Sequence, residues 1–262
     1  MDFPVKNPFL YESNAFFENF RFLIRRSLRL RSLMVRMKCF LFDIDGTLIH
    51  SHSDHNRFYR ETIREILGLD PEKIPWEMFT NITDDGVVQD VHRHHFQKEI
   101  EDEKFSIFKE RFTEKIRSSV EENSSLYPEI SGAKKFLESL EMKKLPLGII
   151  TGSWLIPARV KTKNAKIPIE RFPISSSEDA QNRNGIILKT LQKLKAVHSV
   201  EDFSEVVYFG DGLWDWRASQ ELGLRFIGIN SMENDLLKKN GVPTVFQNYT
   251  APEKILREIG VL

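Results

Sequence analysis

The feature that most constrains this chain is a set of short, continuously apolar runs, most of which stop abruptly at a polar residue. Cys39-Phe-Leu-Phe-Asp, Leu147-Gly-Ile-Ile-Thr, Val206-Val-Tyr-Phe-Gly-Asp and Arg225-Phe-Ile-Gly-Ile are too short for helices. They also lack the alternation of a strand with one wet face, so they read as strands buried on both sides. Pro243-Thr-Val-Phe reads as a weaker fifth. Stretches of helical periodicity separate them, and that order specifies an α/β fold, a doubly wound parallel sheet with helices on both faces. A length of 262 residues, 40% of them hydrophobic, accommodates such a core together with a smaller lobe.

The lobe falls between the first and second strands. Over residues 52–125 apolar side chains recur at helical spacing, as Phe58, Ile63, Ile66 and Leu67, then Phe96, Ile100, Phe105, Phe108, Phe112 and Ile116. This predicts an all-helical insert whose interior is the phenylalanine stripe from Phe96 to Phe112. Ser51 to Ser53 and Asn123-Ser-Ser bracket it as polar hinges. The expected plan is a basic N-terminal extension over 1–37, a core made of 38–51 and 126–262, and a helical cap over 52–125.

Thirty-eight basic and 38 acidic residues cancel, which leaves no overall basic footprint for nucleic acid. The cancellation hides an uneven distribution, because residues 1–38 carry a net +5 and the remainder −5. Arginines interleaved with Phe, Leu and Ile from Phe16 to Met37 could form an organelle leader, an amphipathic surface helix or a helix docked on the core. No apolar stretch is long enough for a membrane span. The single cysteine, Cys39, excludes a disulfide framework within the chain and fits a reducing compartment, so the expected location is cytoplasmic, or an organelle if the basic segment is a leader.

The chemistry gathers at the strand ends. Asp43-Ile-Asp45-Gly46-Thr47 sets two carboxylates two positions apart beyond a buried run, where extended backbone turns both to one side and Gly46 permits a sharp turn. An ordinary turn would use the same residues. Thr151-Gly152-Ser153 ends the second run with a hydroxyl and backbone N–H groups suited to phosphate oxygens. Gly210-Asp211-Gly-Leu-Trp-Asp215 ends a later one with two more acids. Ligands of open α/β sheets bind outside the carboxyl ends of the strands. Four carboxylates meeting there would repel one another unless a hard cation such as Mg²⁺ neutralised them.

In this order, Asp43-x-Asp-Gly-Thr, a strand-terminal Thr151-Gly, a basic residue near a helix start and Gly210-Asp211-x-x-x-Asp215 resemble the haloacid dehalogenase superfamily of aspartate-nucleophile phosphohydrolases. The resemblance spans roughly residues 38 to 235. The 104 positions from Thr47 to Thr151 match the place where one branch inserts a helical cap, and Thr83-Asp84 resembles the substrate-side pair of its phosphoglycolate phosphatase-like members. The resemblance implies a Rossmann-like core and a Mg²⁺-dependent phosphatase acting on a small phosphorylated metabolite. It implies that Asp43 is the nucleophile, giving an aspartyl-phosphate, and that Asp45 is the acid and base. Asp43, the Asp45 carbonyl and Asp211 would hold the metal, with Asp215 behind them or joined through water, while Thr151, Gly152 and Ser153 would hold the phosphoryl group and Thr83 and Asp84 the rest of the substrate. Arg183 would be the basic residue, counted back from a helix expected to start at Ile186, in preference to Lys189 inside that helix.

Other features are weaker. His50, His52 and His55, and again His92, His94 and His95, form clusters, but packing or substrate contact explains them more simply than zinc. Trp214 and Trp216 flank Asp215 and are expected to pack. Two rival readings remain: a sugar phosphomutase of the same fold, for which His55 lies where that branch has a hinge histidine, and a catalytically idle binding protein.

Overall fold

The computed structural model describes residues 37–79, 82–231 and 234–262. The basic extension expected over 1–37 therefore lies outside the described residues except for Met37. Strands β1 (Lys38–Phe42), β2 (Leu147–Ile150), β3 (Ile174–Ser175), β4 (Glu205–Gly210), β5 (Arg225–Ile229) and β6 (Val245–Phe246) form one sheet. Its order is β3-β2-β1-β4-β5-β6, with every pairing parallel. All five expected runs are strands. The sixth, β3, has two residues, too few to leave a periodic signal.

Period-two alternation explains why β1 is apolar throughout. Phe40 and Phe42 enter one hydrophobic cluster with Phe136 and Phe209, while Cys39 and Leu41 enter a second with Ile150, Ile187 and Leu194. Phe42 stacks on Phe209 with ring centroids 4.5 Å apart. Each such side chain taken from water contributes about 1.5–3 kcal/mol.

Helices cover both faces. The insert between β1 and β2 contains α1 (His52–Thr62), extended by a π-helical turn over Ile63–Leu67, then α2 (Asp84–Phe96) and α3 (Asp102–Glu122). After it come α4 (Ala133–Met142), α5 (Leu155–Asn164), α6 (Arg183–His198), α7 (Leu213–Glu221), α8 (Leu236–Lys239) and α9 (Pro252–Glu258). No described helix is long and apolar enough to cross a membrane.

Phe108, Phe112 and Ile116 are fully buried in the insert, as the stripe predicts. Phe96 departs from it: 40% exposed, it sits in the last turn of α2, before left-handed Gln97 stops the helix. The expected first hinge also shortens, because α1 starts at His52 and leaves only Ser51 outside it. Trp154, between β2 and α5, is fully buried with its ring 5.6–6.2 Å from those of Tyr59, Phe105, Phe108 and Phe112. One aromatic cluster is thus shared between the insert and the segment that follows β2.

Candidate active site

The strand order reverses at β1, which opens a crevice beyond the carboxyl ends of β1, β2 and β4. Asp43 follows β1, Thr151 follows β2 and Asp211 follows β4, so the sheet brings together residues up to 168 positions apart. Arg183 joins them, its Nη1 donating to Asp43 Oδ1 at 2.9 Å and its Nε lying 3.1 Å from Asp215 Oδ1. It is the first residue of α6, not a residue preceding a helix that starts at Ile186. The Asn182 side chain caps that helix by accepting from the Gly185 N–H at 2.9 Å. Asn184-Gly185 reads as a turn in sequence, which conceals the true start. Lys189, further along α6, is exposed.

Asp43, Asp211 and Asp215 each offer an oxygen within 4.8 Å of the others. Burial pushes the Asp43 carboxyl well above its ordinary range; Asp215, Asp211 and Asp45 add to this, and Arg183 opposes it. Burial likewise raises Asp211. His52 Nε2 lies 2.6 Å from Asp211 Oδ2. Although burial works against its charge, that hydrogen bond and the surrounding carboxylates push His52 up to about 9. Asp211 Oδ1 is buried with no hydrogen-bond partner among the described residues. Asp215 is spent: it accepts from the Tyr208 hydroxyl at 2.6 Å and the Gly212 N–H at 3.0 Å. A cluster of hard oxygens with one buried lone pair unused fits a hard divalent cation. Gly46, at φ +82°, is required here, since a Cβ would collide with the Asp211 carboxylate and the His52 ring.

Asp45 points elsewhere. Its Oδ1 accepts from the Ser51 hydroxyl and from the Lys161 ammonium. Lys161, on α5, has no exposed side-chain surface, whereas the Asp45 side chain is 17% exposed and lines the cavity. Burial favours the neutral acid, but Lys161, His55 and the two hydrogen bonds outweigh it and hold Asp45 below the usual carboxylate range. The Lys161 nitrogen is also 3.3 Å from His55 Nδ1, and His55 Nε2 is 3.0 Å from Asp84 Oδ1. Sequence reasoning missed Lys161. No signal in the sequence sets it apart from Lys163; it lies on the Ala158 side of α5, which the packing buries.

The remaining expected residues converge on the same crevice. Thr151 is fully buried, and its hydroxyl oxygen accepts from the Ser153 N–H at 3.0 Å. Gly152 and Ser153 line a cavity of about 380 Å³ together with Asp43, Thr83, Asp84 and Arg183. Thr83 caps α2, accepting from the Gly86 N–H and donating to the Gln181 carbonyl, each at 3.0 Å. Asp84 Oδ2 accepts from the Ser153 hydroxyl at 2.8 Å and the Trp154 N–H at 3.0 Å. Asp84 therefore fastens the insert to the loop after β2, and Thr83 fastens it to the segment before α6; both also face the cavity. Of the histidines, His52 and His55 face the cavity, while His92 bonds the Lys98 carbonyl through Nδ1 at 2.9 Å. Trp214 lines the cavity, and Trp216 packs against a core cluster.

Comparison with known proteins agrees with this architecture. Over 84% of this chain and 98% of the other, the fold matches a hydrolase from Pseudomonas syringae with a TM-score of 0.62 and 23% identity. A candidate β-phosphoglucomutase from Bacteroides vulgatus matches over 91% and 95% of the two chains, with a TM-score of 0.62 and 18% identity. A predicted phosphoglycolate phosphatase from Haemophilus somnus matches over 85% and 99%, with a TM-score of 0.55 and 17% identity. No curated protein matches in sequence closely enough to count as a relative. Residues 37–223 match the model of the haloacid dehalogenase-like hydrolases, most of the chain and the whole of the crevice, and the protein belongs to that family.

Proposed function

We propose that the protein is a Mg²⁺-dependent phosphatase that hydrolyses a small phosphomonoester through an aspartyl-phosphate. The observation that carries this reading is Asp43: a buried carboxylate at a strand end, held by Arg183 at 2.9 Å and clustered with two further acids. Asp43, the Asp45 carbonyl and Asp211 would hold the metal, with Asp215 fixing Arg183 and the turn behind them. When bound, Mg²⁺ supplies positive charge to the phosphoryl oxygens. Residues 38–51 and 126–262 form the catalytic core in this reading, and 52–125 the lid.

The chain's own groups divide the remaining work. Arg183 aims Asp43 and opposes the upward pull of burial on its carboxyl, and it meets a phosphoryl oxygen with a planar donor set. Thr151 and the backbone N–H groups that follow it orient the phosphoryl group, while Asp84 holds the lid against that loop and Thr83 holds it against the segment before α6. Asp43 attacks phosphorus and the ester oxygen leaves. Asp45 is the acid to the leaving oxygen and then the base to water. Lys161 leaves it ionised at rest, the form the second step needs. In the first step the arriving phosphoryl charge raises its affinity for a proton, which it takes from solvent and passes to the leaving oxygen.

Asp43→Asn removes the nucleophile and should abolish phosphate release. Asp45→Asn should form the phosphorylated enzyme and stall, so that labelled phosphate stays on the protein and is discharged by hydroxylamine. A label resistant to hydroxylamine, or phosphate release undiminished in Asp43→Asn, would refute the assignment.

A further inference from the structure

Besides the residues of the phosphoryl end, the cavity of about 380 Å³ is walled by Tyr59, Trp76, Phe79, Ile82, Val87 and Trp214. Four of the six are aromatic and the other two aliphatic. Few polar atoms on this wall are free to meet a substrate. The Tyr59 hydroxyl donates to the Asp84 carbonyl at 2.6 Å. The Trp76 indole N–H donates to the Pro71 carbonyl at 3.0 Å. Arg60 reaches the rim, but its guanidinium lies 4.7 Å from the centre of the Trp76 ring and pairs with Glu72 at 3.0 Å. His55 and the Asp84 carboxylate are bonded to each other, and Thr83 to Gln181 and Gly86. Beyond the groups of the phosphoryl end, what is left among the described residues is Asn56 and the unpaired N–H groups of Arg60; the Trp214 indole N–H has no acceptor but is itself buried out of reach.

A leaving group with several hydroxyls would surrender its water here and find too few partners to replace it. A flat apolar group loses little on desolvation and can lie against the rings in offset or edge-on contact. Resting on the phosphatase reading above, we infer that the substrate is the phosphomonoester of an alcohol carrying an aromatic ring. Asn56 would meet a single heteroatom on that ring. The same walls disfavour sugar phosphates, and with them a sugar phosphomutase.

The test uses the full-length protein with Mg²⁺ and esters of primary alcohols, so that leaving-group basicity does not decide the outcome. Phosphate release is compared for 2-phenylethyl phosphate, an indolylethyl phosphate, glucose 6-phosphate, ribose 5-phosphate and phosphoglycolate, with p-nitrophenyl phosphate as a general reporter. The expected result is a kcat/KM at least tenfold higher for the two ring-bearing esters than for either sugar phosphate or phosphoglycolate. Trp76→Ala should shrink that preference at least fivefold, chiefly by raising KM for the ring-bearing esters. Release from p-nitrophenyl phosphate with sugar phosphates or phosphoglycolate equal to or better than the aromatic esters overturns the inference and leaves the phosphatase standing. An undiminished preference in folded Trp76→Ala also overturns it, because the wall would then not be the selecting surface. Absence of release from every ester, p-nitrophenyl phosphate included, overturns both.

Discussion

Replacing Lys161 by Met keeps the length of the side chain and deletes its charge, leaving Asp45 with the Ser51 hydroxyl and the nearby His55 ring as its supports. The Lys161 side chain is wholly buried and that of Asp45 17% exposed, so the orphaned carboxylate is largely cut off from water. Removing one partner of such a pair costs about 3–5 kcal/mol. In a chain of this size that lowers Tm by roughly 6–20 °C. Lys98→Met is the control: its pair with Glu101 is 62% and 75% exposed, and its loss should cost less than about 1 kcal/mol. The pH dependence has a definite sign. Asp45 is held below its ordinary range when folded, so the stability it contributes is present above about pH 4 and is lost as pH falls through the depressed value. In Lys161→Met, burial drives Asp45 upward with little to oppose it. The variant then binds a proton more tightly than its unfolded chain does and regains stability between pH 7 and pH 5. Urea midpoints at the two pH values measure this, and Asp45→Asn added to Lys161→Met should recover more than half of the loss. A loss below about 1 kcal/mol at pH 7, or a gap to wild type that widens at pH 5, refutes the reasoning.

Two further outcomes follow from the same structure. Because the clustered acids need a hard cation to accept a phosphoryl anion beside them, EDTA should abolish phosphate release, and Mg²⁺, but not Ca²⁺, should restore it; full activity after exhaustive chelation contradicts the proposed metal site. Trp154→Ala opens a cavity in the aromatic cluster shared with Tyr59, Phe105, Phe108 and Phe112, and should cost about 3–5 kcal/mol in urea unfolding, with Trp154→Phe losing distinctly less.

The sequence alone determined the sheet and the end of it that carries the chemistry. Buried parallel strands need unbroken apolar runs, and an acid placed where such a run stops is costly without a purpose, so Asp43, Asp45, Thr151 and Asp211 stood out from one-dimensional pattern. The helical insert was legible for the same reason, as periodicity that changes from strand to helix. Tertiary structure decided what no local pattern encodes. Lys161 resembles its neighbour Lys163 in sequence, and only the packing of α5 makes one of them the wholly buried partner of an acid 116 positions away. Asp84 was expected as a substrate contact, yet it accepts from the Trp154 N–H across the boundary between insert and core, and the Trp154 ring packs on insert aromatics across the same boundary. Arg183 came from the family resemblance, counted back from an expected helix start, but its helix began three residues earlier than expected because Asn182 caps it. Local propensity and periodicity act within a few residues, whereas the charge state of a buried acid and the lining of a cavity depend on which distant side chains the sheet order brings within about 4 Å of one another.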